Sequence, residues 1–189
     1  MSRTSIAARE VPFDVPLSDL VGPLEREDGE AILAGLEGVS SAANLQPWHV
    51  RVLAPDTLAS LSVHALDALG RPLPNHRGEA LRSVPWALLV SMDVGRAKAR
   101  FGERGADLFG VQDVAVACSE LRRAGWRRGV ASHWVREMDW KAVGQALGML
   151  PRRRPQALLA FGRPDPSASL EWPPSLRWCD VVDGLDGET

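Results

Sequence analysis

Tyrosine is missing from this chain, cysteine occurs only twice, and neither charge sign dominates. Without tyrosine the aromatic set is seven Trp and four Phe, and filling a core or an interface is a commoner use of Trp than lining a ligand site. Of the two cysteines, Cys118 lies in an apolar helical run and reads as a small core residue. Cys179 follows Trp178 with no Cys or His at metal-ligand spacing, so no metal centre is expected. A formal charge of -2 argues against a general binder of nucleic acid or membrane surfaces. There is no signal-peptide pattern and no run of about 18 apolar residues, so no membrane partner is expected and a reducing, cytoplasmic location is. Internal repeats, a Gly-x-x-x-x-Gly-Lys-Ser/Thr loop and a Ser-His-Asp order are absent too, and Gly105–Gly110 lacks the strand context of a dinucleotide site.

What is present suits one domain with a substantial core: 189 residues, 45% hydrophobic and 24% charged. Residues 1–24 are poorly periodic, carry Pro12, Pro16 and Pro23, and read as an N-terminal arm with one helical turn near Leu17–Val21. A main domain is expected over 25–182 and a tail over 183–189. Residues 25–38 read as a helix that Gly38 ends, followed by a strand over His49–Leu53. Pro55–Gly70 reads as a helix capped by Asp56 or Thr57, with Leu58, Leu61, Ala65 and Leu69 on one stripe. Arg71–Gly78 reads as a loop, and Trp86–Ser91 as a strand buried on both faces. Asp93–Asp107 is weakly patterned, a mobile segment or a short helix. Leu108–Ala124 is the strongest helix, with Val111, Val114, Ala115, Cys118 and Leu121 on a wide apolar face. A strand after Gly129, a helix over Met138–Leu147, a basic loop at Arg152–Arg154, a strand over Gln156–Gly162 and a terminal strand over Leu176–Val182 complete the expectation.

The stretch from Ser40 to Val52 concentrates chemistry. Ser40, Ser41, Ala42 and Ala43 are small enough for backbone N–H groups to approach a ligand closely. Asn44 and Gln46 each offer a donor and an acceptor, the pairing that a heterocyclic amide or a ribityl chain needs. Pro47 biases Gln46 toward extended geometry, and Trp48 brings an apolar body to the strand entrance. Read from chemistry alone, the segment is equally a plain turn between a helix and a core strand.

In order and spacing, Ser41, Asn44, Gln46, Pro47 and Trp48 resemble the Ser-x-x-Asn-x-Gln-Pro-Trp segment of the nitroreductase superfamily, which binds FMN. Other stretches resemble that family in turn. Arg3-Thr4-Ser5-Ile6 is similar to its phosphate-gripping arm through Arg3 and Ser5, with Thr4 and Ala7 in place of two basic residues. Leu108–Ala124 resembles its long core helix, with Asp113 at an often acidic position. Gly129, Val130, Ala131 and Ser132 are similar to its Gly-rich, ring-contacting turn, with Ala131 where Gly is common. Leu147–Pro151 and Ala160–Pro164 resemble its closing Leu-Gly-x-Pro and Gly-x-Pro motifs, and Arg177 its late phosphate-binding Arg.

The resemblance implies an α+β, three-layer fold with a mostly antiparallel central sheet flanked by helices. It implies a homodimer with FMN at the interface and an enzyme that moves hydride from NADH or NADPH to a small, electron-poor acceptor by a ping-pong mechanism. The cofactor carries the chemistry, so no side-chain nucleophile is required. Cofactor contacts would come from Arg3, Ser5, Ser41, Asn44, Gln46, Gly129, Val130, Ala131, Ser132 and Arg177. An oxygen-using oxidase or dehydrogenase of a peptide or natural product, and a degenerate homologue that only binds flavin or a partner, stay open beside it.

Overall fold

The computed structural model describes residues 14–67, 69–72 and 75–168, without the side chains of 75–78. Arg3, Ser5, Arg177, Cys179 and the expected terminal strand lie outside the described residues. The two continuous apolar runs become the central strand pair, because strands covered on both faces need apolar side chains in both directions. They are β3 (Trp86–Asp93) and β5 (Arg153–Pro164), which pair antiparallel after β1 (Leu20–Gly22) and β2 (Trp48–Leu53) and around β4 (Ala131–Val135). β2 pairs with the free side of β3, β4 with the other side of β5, and β1 with the far end of β5, all antiparallel.

Alternation along these strands separates two cores. Leu88, Val90 and Met92 of β3 and Ala157, Leu159 and Phe161 of β5 pack with Ile32 of α1 (Arg26–Ala34) and with Val114, Ala117, Cys118 and Leu121 of a long helix. Ala87, Leu89, Leu158 and Ala160 face the opposite way, toward Leu58 and Leu61 of α2 (Pro55–Leu61), Leu81 of α3 (Asn75–Arg82) and Val143, between β4 and β5 in the chain. The remaining helices are α4 (Val94–Arg104), α5 (Gly110–Arg127), which is the long one, and α6 (Trp140–Ala146), which carries Val143. Helices, sheet and helices make the three-layer α+β arrangement that the resemblance implies.

Several local expectations are corrected. The helix read over Pro55–Gly70 stops at Leu61 and passes through a 3-10 turn, because Ala65 and Leu66 turn extended and form bridges with Met138 and Pro72. Its N-cap is Ala54 with Pro55 at the first helical position, and no side chain caps it. The loop read at Arg71–Gly78 contains the start of α3. Of the two readings of Asp93–Asp107 the structure has the helical one: α4, kinked back at Gly102, and a π-helical turn, Gly105–Phe109, that leads into α5. That hairpin needs Gly105, since a β-carbon there would overlap the carbonyl of Ala97. Of the basic run, Arg152 stays in the turn while Arg153 and Arg154 open β5: Arg153 stands opposite Asp93 and pairs with it at 3.3 Å, and Arg154 donates to the Ala106 carbonyl. Val111, placed on the buried face of α5, is exposed.

Candidate functional site

The segment Ser41–Pro47, between α1 and β2, is a tight loop that leads into β2. Gln46 N–H donates to Ser41 Oγ at 2.8 Å, closing the segment into a ring. Inside the ring Ala43, Asn44 and Gln46 take φ values of 51°, 54° and 45°, the left-handed region that residues with a β-carbon disfavour. The extended geometry expected of Gln46 ahead of Pro47 is therefore not adopted, because the bond to Ser41 folds its N–H inward. Outside contacts hold the ring. Ala42 N–H lies 3.1 and 3.2 Å from the two carboxylate oxygens of Asp113 on α5. Arg96 of α4 donates to the Gln46 carbonyl at 3.0 Å, and Asp93 N–H to the Pro47 carbonyl at 2.7 Å. Trp48 then sinks into the core beside Met92.

Gln46 Nε2 donates to Asn44 Oδ1 at 2.9 Å. Among the described residues this leaves the Asn44 NH2 and the Gln46 Oε1 without a partner, on two exposed residues. Reversing both amides exchanges the roles but still leaves one donor and one acceptor uncommitted. Ser41, by contrast, spends its hydroxyl on the loop itself.

The second candidate segment, Gly129–Ser132, turns from α5 into β4. Gly129 has φ 70°, and its N–H donates to the Trp126 carbonyl while Val130 N–H donates to the Gly125 carbonyl. These bonds satisfy carbonyls at the helix C-terminus, so both amides are committed within the chain. Val130, Ala131 and Ser132 are buried. Two ion clusters fasten this turn. Asp28, buried in the first turn of α1, accepts from Arg128 at 3.1 Å and from Arg163 at 2.6 Å. Asp14 pairs with Arg122 at 2.8 Å and Arg136 at 3.0 Å, Arg122 also donates to Ser132 Oγ, and Val15 N–H donates to the Ser132 carbonyl. Burial alone would raise the Asp14 carboxyl, but Arg122, the Trp134 N–H and Arg136 outweigh it and hold it below its ordinary value.

The two segments lie at opposite ends of the sheet. Trp48 is opposite Met92 and Met92 opposite Arg154, whereas Ala131 is opposite Gly162. The eight-residue step along β5 from Arg154 to Gly162 amounts to roughly 25 Å at strand rise. The 18 residues of α5, which carries Asp113 near one end and leads into Gly129 at the other, span about 27 Å.

Next to the loop, His49 has Nδ1 buried without a hydrogen-bond partner among the described residues. Burial first, and then Arg153 and Arg51, push its pKa down, so the ring is held neutral below its ordinary range. Burial pushes the Cys118 thiol up to about 12, which makes it a core group and not a nucleophile. Among the described residues no group of three or more His, Cys, Asp or Glu is arranged to hold a metal ion, and no helix is long and apolar enough to cross a membrane.

A model of the nitroreductase family matches residues 22–163, which include both segments and the sheet between them. The chain belongs to the nitroreductase family. Solved structures with the same fold include a nitroreductase family protein from Streptococcus pneumoniae TIGR4, 17% identical, covering 93% of this chain and 96% of its own, with a TM-score of 0.79. An FMN complex from Exiguobacterium sibiricum 255-15 is 14% identical, covers 92% and 93%, and has a TM-score of 0.71. An FMN-dependent nitroreductase from Clostridium difficile R20291 is 16% identical, covers 91% of both chains, and has a TM-score of 0.65. No curated protein sequence matches the chain.

Within this nitroreductase-family chain the loop contact from Arg96 and the clamp around Asp28 carry no signal in the sequence. Each joins residues far apart in the chain: Arg96 to Gln46, and Asp28 to Arg128 and Arg163. Asp113 alone of these supports was singled out by the resemblance.

Proposed function

We propose that the chain is an FMN-dependent oxidoreductase that passes hydride from NADH or NADPH to an electron-poor small molecule such as a nitroaromatic, quinone or enone. The observation that carries this is the closed Ser41–Gln46 ring, which holds an uncommitted donor and an uncommitted acceptor side by side on Asn44 and Gln46. That pairing fits the imide edge of a flavin pyrimidine ring. FMN, when bound, supplies the hydride chemistry, and the protein orients it and excludes competing reactions. Similarity in fold to an FMN complex and to an FMN-dependent nitroreductase supports the same assignment.

The roughly 25 Å between the loop and the Gly129 turn exceeds what one FMN can bridge within a chain. We therefore assign the site to a homodimer in which one copy supplies Asn44 and Gln46 and the other supplies the turn. Leu108 in the turn before α5 and Val111 and Val116 on α5, 39–45% exposed, give an apolar face for that association. The flavin ring is proposed to lie against Gly129, with Val130, Ala131 and Ser132 shaping the turn from beneath. Arg3, Ser5 and Arg177 are proposed to hold the phosphate. Asp14 and Val15 dock beside Ser132, at the same end of the sheet as the turn.

The test is to add FMN to the purified protein, remove the excess and read the visible spectrum. About one flavin per chain, bleached anaerobically by NADH or NADPH, is expected. Asn44→Ala together with Gln46→Ala should weaken FMN binding about a hundredfold, two hydrogen bonds' worth. A colourless wild-type protein would sink the assignment.

A further inference from the structure

The Ser41–Gln46 ring contains three left-handed residues that are not glycine, and such geometry persists only where surroundings enforce it. The enforcing groups are Ser41 Oγ inside the ring, the Asp113 carboxylate on the Ala42 N–H, and Arg96 on the Gln46 carbonyl. None of the three leaves its element to reach a ligand. Ser41 faces into the ring, Asp113 stands in the first turn of α5, and Arg96 stands at the start of α4. We infer that Asp113, with Ser41 and Arg96, is a positioning residue that braces the loop so that Asn44 and Gln46 meet the ligand already aligned.

This rests on the flavin role proposed for the loop, and it reassigns Ser41 from a cofactor contact to a part of the brace. The physical reason is preorganisation. Without the carboxylate, Ala42 loses the partner that fixes its N–H, and Ala43 and Asn44 relax toward right-handed or extended backbone. The two amides then separate, and their alignment must be restored each time a ligand binds. Asp113 contributes both oxygens at nearly equal distance to one N–H, so it fixes the direction of that amide and not only its satisfaction. The same carboxylate belongs to the helix whose far end carries the Gly129 turn. One rigid rod thus sets the loop of one site and the turn of the other.

The experiment titrates FMN into the apo forms of the wild type, Asp113→Ala, and Asp113→Ala combined with Ala43→Gly, and records thermal midpoints with and without flavin. Asp113→Ala should raise the FMN Kd about tenfold, the loss of one charge-assisted hydrogen bond's alignment, while the apo midpoint moves little. Glycine at 43 adopts the left-handed backbone without strain, so the double variant should recover part of that affinity. An FMN Kd for Asp113→Ala equal to that of the wild type overturns the brace, as does a fall in apo midpoint that accounts for the whole effect. If Asp113→Ala does not fold, Asp113→Asn keeps one acceptor oxygen and must fall between the wild type and the loss predicted for alanine. Amide hydrogen exchange decides independently of flavin. Asp113→Ala should speed exchange at Gln46, which Asp113 does not touch, as well as at Ala42, and acceleration confined to Ala42 overturns the brace. A wild-type protein that takes up no flavin yet shows the coupled exchange would sink the proposed function and leave the brace standing.

Discussion

Removing the Asp28 carboxylate is the most severe single change that the ion clusters allow. Asp28 is 1% exposed and accepts from the Glu25 N–H at 3.3 Å, Arg128 at 3.1 Å and Arg163 at 2.6 Å. It therefore ties α1 to the end of α5 and to the end of β5. Breaking a buried pair from one side costs roughly 3–5 kcal/mol when the remaining charge stays trapped. Here the surviving arginines are 47% and 44% exposed, so water reaches them and the trapped-charge part is small. What is lost is two charge-assisted hydrogen bonds and a helix-cap contact, about 1–1.5 kcal/mol each after hydration is counted. Asp28→Ala should therefore cost about 3 kcal/mol, or about 6–12 °C in thermal midpoint for a chain of this length. Urea unfolding of Asp28→Ala, Arg163→Ala and the double variant measures it. The double variant should cost at least about 1 kcal/mol less than the sum of the singles, because each single already breaks the shared 2.6 Å contact. A cost under about 0.5 kcal/mol for Asp28→Ala, or strict additivity, would refute the reasoning.

Three further outcomes rest on single buried groups. His49 has a native pKa below its ordinary 6.5, so the unfolded chain takes up protons first and stability falls as pH drops through that value. His49→Gln should flatten this fall, read as the difference in urea midpoint between about pH 7.5 and about pH 5.5, and an unchanged slope would dismiss the effect. Cys118, buried with its thiol pushed up to about 12, should resist thiol reagents in native buffer and react only at the rate of unfolding. Gly105→Ala forces a β-carbon into the Ala97 carbonyl and should cost about 1–3 kcal/mol by urea unfolding while leaving the far end of α5 protected in hydrogen exchange.

The parts legible in the sequence were those governed by local pattern. The apolar runs at Trp86–Ser91 and Gln156–Gly162 announced the two central strands, since a strand covered on both faces has no polar side to show. The dense apolar face around Val114, Cys118 and Leu121 announced α5. The residue order Ser41, Asn44, Gln46, Pro47, Trp48 pointed to the family that the match over 22–163 establishes. Less legible were short helices and strand ends. α3 begins inside a Pro-rich stretch, α2 stops where Ala65 finds a bridge to Met138, and Arg153 joins β5 because Asp93 waits opposite.

By itself, then, the sequence determined the two-faced sheet, the central helix and the amides of Asn44 and Gln46, because periodicity and residue chemistry act over a few neighbours. Only the tertiary structure decided how those amides are held. The left-handed ring at Ala43, Asn44 and Gln46 exists because Asp113, 71 residues away, and Arg96, 50 residues away, reach its N–H and carbonyl groups. It also decided that the loop and the Gly129 turn stand at opposite ends of one sheet. No local pattern encodes either fact, since both depend on which distant strands and helices the packing of two cores brings together.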